Sequence, residues 1–143
     1  MQARPAGRPA SHLRHAGEAA FLNLLLVDDE PKNLFALSAL LEGLGAKLHC
    51  VRSGEEALRQ VLRHDFAAIL LDVRMPGIDG FETAAAIRSV ERFRRTPIIF
   101  LSAHGDRRAQ GRDPLVEFIR KPIDPDVIRP RVAVHLERFS AAA

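Results

Sequence analysis

Acidic, hydroxyl and ammonium side chains follow several apolar segments of this sequence, at the point where each segment ends. Asp28 and Asp29 come directly after LNLLLV, and Asp72 ends FAAILLD. Ser102 ends TPIIFLS, and Lys121 ends LVEFIRK. If the apolar segments are parallel strands of one sheet, their carboxyl ends meet at a single edge. The sequence therefore predicts one shallow site that holds three carboxylates, a hydroxyl and an ammonium group.

The three carboxylates of this predicted site favour a divalent cation, because without a counter-charge their pKa values would rise. The ligand atoms are hard oxygens, and no His or Cys stands at a matching position, which favours Mg²⁺ or Mn²⁺ over Zn²⁺. We expect Asp29 and Asp72 to bind the ion directly, with the main-chain carbonyl of Arg74 as a third oxygen. Asp28 would act through water or by placing its neighbour.

A carboxylate bound to a metal ion beside a lysine is suited to phosphoryl transfer, in which the protein mainly positions phosphorus and neutralises charge on its oxygens. Asp72 would attack as the nucleophile and form an acyl phosphate. Lys121 and the cation would balance the new charge, and the Ser102 hydroxyl would donate to a phosphoryl oxygen. Alone, each of these residues could be a helix cap, a turn residue or a surface charge. Their occurrence together at strand ends favours the site.

The elements that must position these residues alternate between strand and helix patterns. The predicted strands are LNLLLVDD, KLHCV, FAAILLD, TPIIFLS and LVEFIRK, and the predicted helices are PKNLFALSALLEGLG, residues 53–64, FETAAAIRSV and IDPDVIRPRVAVHLERF. Strands that are apolar on both faces and alternate with helices predict an α/β fold. We expect a single doubly wound parallel sheet with right-handed crossovers and helices on both faces.

Local signals mark several helix ends. Pro31 suits the start of the first helix and Gly45 its end. Ser53, with Glu56 three residues later, predicts a capping box at the start of the second helix. Asp79 is interpreted as part of a turn and cap. Pro130 lies inside the last helical segment, so that helix either kinks there or begins near residue 129, and we favour the late start.

Four segments of the sequence resemble the receiver domains of bacterial two-component response regulators. They are LLLVDDE, LLDVRMPGIDGFE, IIFLSA and FIRKP, in this order along the chain. The resemblance covers about residues 22 to 138, and the ordered set is far more specific than any one motif. DEPKNLFALSALLE and KPIDPDVI also resemble receivers that are attached to sensor kinases or output enzymes.

The resemblance implies roles at matching positions. Asp28 and Asp29 correspond to the acidic pair that holds Mg²⁺, and Asp72 corresponds to the phosphoacceptor that becomes an aspartyl phosphate. Lys121 corresponds to the lysine of the phosphorylation site, and its bond to Pro122 is cis in the family.

The resemblance also implies a readout and a fold. Ser102 corresponds to the switch hydroxyl, and Phe118 to the switch aromatic, although Phe118 has no hydroxyl with which to form a hydrogen bond. The expected strand order is the flavodoxin-like 2-1-3-4-5. The implied partner is a histidine kinase or phosphotransfer protein, either separate or covalently linked. The sequence leaves open whether the protein also forms a homodimer. Such a domain catalyses only its own phosphorylation and dephosphorylation, so we do not classify it as an enzyme.

One departure from the family pattern lies between Ser102 and Lys121, where the chain is several residues shorter than is typical. A fourth helix would have to fit between Gly105 and Pro114, and a glycine inside it would cost about 1 kcal/mol relative to alanine. We therefore predict that the fourth helix is short or missing.

Two residues could tune the lifetime of the phosphoryl group. His104 follows the switch hydroxyl by two positions, and Arg74 follows the phosphoacceptor by two positions. We expect both side chains to flank the phosphoryl group.

Composition limits the remaining function classes. The chain has 143 residues, a net charge of +3, and neither Tyr nor Trp; with no zinc-finger or helix-turn-helix spacing, direct nucleic-acid binding is not expected. No membrane-spanning run or signal-peptide core is evident. The single Cys50 suits a reducing compartment and is interpreted as a small buried core residue. We expect a cytoplasmic protein with a flexible tail over residues 1–20, a receiver domain over 21–140, and a vector remnant at 141–143.

Two other functions stay open at this point. A pseudo-receiver would dock proteins without turning over phosphate. A phosphohydrolase on the same type of sheet would need a second acid or base near Asp72, and none is evident.

Overall fold

The computed structural model of the chain describes residues 22–103 and 113–142. These residues form a five-stranded parallel sheet in the order β2-β1-β3-β4-β5, which confirms the predicted α/β fold. The elements in chain order are β1 (Leu22–Val27), α1 (Pro31–Leu40), β2 (Ala46–Val51), α2 (Gly54–Val61), β3 (Ala68–Asp72), α3 (Gly80–Arg88), a 3₁₀ turn (Glu91–Phe93), β4 (Ile98–Ser102), β5 (Val116–Arg120) and α4 (Pro125–Ala141).

The sheet separates two hydrophobic cores, because successive side chains of each strand point to opposite faces. Leu24 and Leu26 of β1 pack with α1 and α4 on one face. Leu25 and Val27 pack with α2 and α3 on the other face. The strands β3 and β4 are buried along their whole length, and β2 and β5 form the two edges. This burial on both faces explains why the sequences of β3 and β4 are almost continuously apolar.

The predicted helix starts are mostly confirmed. The Ser53 hydroxyl accepts from the Glu56 amide at the start of α2, but the Glu56 carboxylate accepts from the amide of Arg52 rather than that of Ser53. The full capping box lies at α3, where Asp79 and Glu82 each accept from the other's main-chain amide. This cap fixes the loop that follows Asp72.

The C-terminal end of α1 comes earlier than predicted. The helix ends at Leu40, and Gly43 and Gly45 then adopt φ values of 86° and 85°. These left-handed conformations favour glycine and turn the chain into β2.

The late start predicted for the last helix is wrong. Helix α4 begins at Pro125, with the Asp124 carboxylate capping the amide of Asp126, and Pro130 lies inside the helix. Pro130 removes one helical hydrogen bond, to the carbonyl of Asp126. Burial of apolar side chains on both sides of Pro130 keeps the helix continuous, among them Ile128.

The prediction for Cys50 is also wrong. Cys50 is exposed on the edge strand β2, with its sulfur 3.4 Å from the Ser38 hydroxyl oxygen. Apolar and polar residues do not alternate regularly along β2, so its sequence does not indicate that the strand forms an edge.

The prediction of a short or missing fourth helix concerns residues 104–112, which lie outside the described residues. Among the described residues, no helix is both long enough and apolar enough to cross a bilayer.

Candidate functional site

Three carboxylates converge at the carboxyl edge of the sheet, as the sequence predicts. One oxygen atom each of Asp28, Asp29 and Asp72 lies within 4.8 Å of the other two. Asp28 and Asp72 are almost completely buried, and Asp29 is partly exposed. Across residues 22–103 and 113–142, this is the only cluster of three or more such side chains that could hold a metal ion.

Asp28 is held by groups at the start of α1. Its Oδ1 atom accepts from the main-chain amide of Glu30 at 2.9 Å and from the Asn33 side-chain amide at 3.4 Å. Its other oxygen, Oδ2, lies 3.9 Å from the Lys121 ammonium. Sequence reasoning missed Asn33; the available signal was a polar amide in the first turn of the helix that follows the acids.

Lys121 reaches the cluster from the chain that follows β5. Its Nζ atom donates to Oδ1 of Asp72 at 2.6 Å, and its side chain stays about one-third exposed, at 32%. The main-chain amide of Lys121 donates to the carbonyl of Ser102 at 2.8 Å. The bond between Lys121 and Pro122 is cis, as the resemblance implied. The lysine is therefore anchored beside both β3 and β4.

The pKa of the Asp72 carboxyl is raised above its usual range. Burial is the main cause, and the neighbouring carboxylates of Asp28 and Asp29 act in the same direction. The hydrogen bond from Lys121 opposes them without cancelling the effect. One ammonium group thus does not neutralise the three acids, and a set of hard oxygen ligands that lacks positive charge fits a divalent cation such as Mg²⁺.

Ser102 and Phe118 lie on the neighbouring strands β4 and β5. Ser102 ends its strand, whereas Phe118 is in the middle of β5 and pairs with Phe100. Ser102 is buried at the last position of β4, two residues after Phe100, so both side chains point to the same face. Phe118 stacks on Phe100 with ring centroids 5.2 Å apart, and Phe100 contacts Phe81 of α3 at 4.9 Å. The three rings form a row from helix α3 to the edge strand β5.

Of the two residues expected to tune the lifetime of the phosphoryl group, the structure describes one. Arg74 is exposed in the loop that follows Asp72, a position consistent with its predicted role. His104 lies outside the described residues.

The sequence matches the profile described as "Response regulator receiver domain" over residues 24–133. It is 38% identical over 106 residues to the sensor histidine kinase GacS of Pseudomonas protegens, an alignment that covers 70% of this chain and 12% of GacS. The response regulator Rre1 of Synechocystis is 34% identical over 126 residues, which cover 85% of this chain and 54% of Rre1. The chain thus spans about an eighth of GacS and about half of Rre1.

Solved structures give the same result. The receiver domain of the sensor histidine kinase PA1611 from Pseudomonas aeruginosa superposes with a TM-score of 0.69 at 32% identity, covering 80% of this chain and 95% of that one. That structure has a magnesium ion coordinated in its active-site cleft. The receiver domain of a signal transduction histidine kinase from Syntrophus aciditrophicus gives a TM-score of 0.70 at 30% identity, over 80% and 89% of the two chains.

Proposed function

We propose that this chain, which belongs to the response regulator receiver domain family, is a phosphorylation-controlled switch that accepts a phosphoryl group on Asp72 from a phosphohistidine donor. The observation that carries the proposal is the contact between Asp72 and Lys121 beside two further carboxylates. A buried acid paired with a lysine at a strand end is the arrangement that a charged phosphoryl group needs.

The proposed cofactor is Mg²⁺, and Mn²⁺ would fit the same oxygen ligands. Asp29 and Asp72 would hold the ion together with the main-chain carbonyl of Arg74. Asp28 would stabilise the site, because one of its oxygens already accepts two hydrogen bonds, from the N-cap residue Glu30 and from Asn33 of α1. When bound, the cation would neutralise negative charge on the carboxylates and on the phosphoryl oxygens.

The proposed reaction exchanges one bond to phosphorus for another. A carboxylate oxygen of Asp72 attacks phosphorus, the bond between phosphorus and the histidine nitrogen of the donor breaks, and the electron pair of that bond returns to the imidazole. The product is an acyl phosphate on Asp72. The Lys121 ammonium, which donates to the Asp72 carboxylate before transfer, would then donate to a phosphoryl oxygen. Water would later hydrolyse the acyl phosphate and release inorganic phosphate. The chain's catalysis would thus be limited to its own phosphorylation and dephosphorylation.

The proposed readout runs through Ser102 and Phe118. The Ser102 hydroxyl would donate to a phosphoryl oxygen, and its inward movement would let Phe118 follow. Phe118 is stacked on Phe100, so this response would depend on packing rather than on a hydrogen bond. Arg74 and His104 would tune the lifetime of the phosphoryl group. An unchanged dephosphorylation rate in Arg74→Asn would contradict the role of Arg74.

The proposed donor is a histidine kinase or a phosphotransfer protein. Relatives such as GacS are sensor histidine kinases, so the donor is either a separate protein or part of the same polypeptide. A groove of about 320 Å³ between α1 and the chain after β5 includes Lys121 and offers an approach for such a donor. This role implies a location in the cytoplasm.

The test is to add acetyl phosphate with Mg²⁺ and follow the intact mass of the protein. We expect one added phosphoryl group on the wild type, none on Asp72→Asn, and none when the cation is chelated. Glu137→Gln, which removes one exposed carboxylate of α4, serves as the matched control and should be phosphorylated normally. Absence of phosphate on the wild type would contradict the proposal and favour a protein-docking module.

A further inference from the structure

Arg52 binds the main chain of the acidic cluster through two nitrogen atoms of its guanidinium group. It approaches from β2, whereas Lys121 approaches from β5 on the other side of β1. Arg52 is the first residue after β2, and its Nε and Nη2 atoms donate to the main-chain carbonyl of Asp29 at 3.3 and 3.2 Å. The main-chain amide of Arg52 donates to the Glu56 carboxylate at 3.0 Å. The arginine thus links the start of α2 to the loop that carries the acids.

The three carboxylates of the cluster differ in the number of hydrogen bonds that hold them. The carboxylate of Asp28 accepts from two donors, one at the N-cap and one in the first turn of α1, and that of Asp72 accepts from Lys121. Within the part of the chain that the structure describes, the Asp29 carboxylate accepts no hydrogen bond. The direction of its side chain therefore depends on the orientation of its main chain, and the planar guanidinium of Arg52 fixes that orientation at the carbonyl.

We infer that Arg52 is a positioning residue, which holds the main chain of Asp29 so that its carboxylate stays directed into the cation site. The inference rests on the proposed function, since it assigns a determinant of cation affinity at the same site. A residue that orients a metal ligand affects metal affinity by about 10-fold or more when it is removed.

Two other roles of Arg52 predict different results. A cation near three carboxylates competes electrostatically with Mg²⁺, so if charge were its main effect, removing Arg52 would tighten Mg²⁺ binding. If Arg52 were only a surface tie between loops, its removal would lower stability slightly and leave Mg²⁺ affinity unchanged. The positioning role alone predicts weaker binding.

The experiment compares wild type, Arg52→Met, Arg52→Lys and the control Arg63→Met by isothermal titration with MgCl₂. Arg63 is exposed just after α2, and its exchange removes the same charge. The Tm of each cation-free protein is followed by circular dichroism, because the chain lacks Tyr and Trp. We expect Arg52→Met to raise the Kd for Mg²⁺ about 10-fold, with little change in the cation-free Tm. Arg63→Met should match the wild type.

Arg52→Lys keeps the charge but cannot form the two-pronged contact, so we expect an intermediate loss of affinity. Equal or tighter Mg²⁺ binding by Arg52→Met, or wild-type binding by Arg52→Lys, would overturn the inference and leave the proposed function intact. Failure of the wild type to bind Mg²⁺ would overturn both.

Discussion

Exchanging Asp72 for asparagine should make the cation-free protein more stable at neutral pH. Asp72 is 5% exposed and lies with two other acids whose oxygens are within 4.8 Å. Asparagine has nearly the same shape and no charge, so it would remove the repulsion among the acids and the cost of burying a carboxylate. The exchange would also lose the ion pair with Lys121. Whether the protein becomes more or less stable therefore depends on the relative sizes of the repulsion, the burial cost and this attraction.

Those magnitudes follow from the distances at the site. With an effective dielectric constant of about 20, two carboxylates at the upper limit of 4.8 Å repel by about 3.5 kcal/mol. Asp72 has two such neighbours, and its 2.6 Å contact with Lys121 is worth about 6 kcal/mol on the same scale. The charge terms nearly cancel, and solvent around the partly exposed lysine weakens the attraction. The unfavourable burial of the charge remains, and we expect Asp72→Asn to stabilise the protein by about 1 to 2 kcal/mol.

The pH dependence has a definite sign. The fold raises the pKa of Asp72 above its value in the unfolded chain, so the folded state holds this proton more tightly. The stability associated with the proton is fully present below the unfolded pKa and is lost as pH rises through the folded pKa. The advantage of Asp72→Asn should therefore be small near pH 4 and should widen towards pH 7.

The assay is thermal unfolding followed by circular dichroism in chelator, at several pH values. For a domain of this size, about 1 kcal/mol corresponds to roughly 4 °C, so we expect the Tm to rise by about 4 to 8 °C at pH 7. Glu137→Gln, with the same charge change at an exposed position, should leave Tm unchanged. A Tm for Asp72→Asn at or below that of the wild type at pH 7 would refute the charge argument.

Three further changes test the site and the packing of the helices on the sheet. Lys121→Met removes the ammonium that donates to Asp72, so phosphorylation by acetyl phosphate should slow about 100-fold or more by intact mass. Gly80→Ala places a Cβ against the main-chain carbonyl of Asp72 and 2.8 Å from Cα of Val73; urea unfolding should show a loss of about 2 to 4 kcal/mol. Arg129→Met removes hydrogen bonds of 2.8 and 2.9 Å to carbonyls at the end of α1 and should lower the free energy of unfolding by about 1 to 3 kcal/mol. An unchanged value in any of the three would contradict the role of that contact.

The features that were predictable from the sequence follow from short-range patterns. Apolar runs that end in Asp28 and Asp72 predict buried parallel strands, and parallel strands bring their carboxyl ends to one edge. The sequence alone therefore predicts that the three acids and Lys121 meet. The capping of α3 by Asp79 depends on neighbouring residues and was predictable for the same reason.

The features that were missed depend on contacts between distant elements. Arg52 and Asp29 are 23 residues apart, and their contact depends on the exact course of two loops. The continuity of α4 through Pro130 was missed because the local rule for proline does not include the burial of Ile128 and Val132 on either side. The exposure of Cys50 depends on the position of β2 at the edge of the sheet, which no single segment encodes.

The order of the strands places the site between the central strand and one edge of the sheet. Asp72 ends the central strand β3, whereas Lys121 follows the edge strand β5. In amide hydrogen exchange, central strands with both faces buried exchange only when the whole domain unfolds, and edge strands open in smaller units. A phosphoryl group on Asp72 that also contacts Lys121 would link the edge strand β5 to the central strand β3. Phosphorylation should therefore slow hydrogen exchange in β5 much more than in β3.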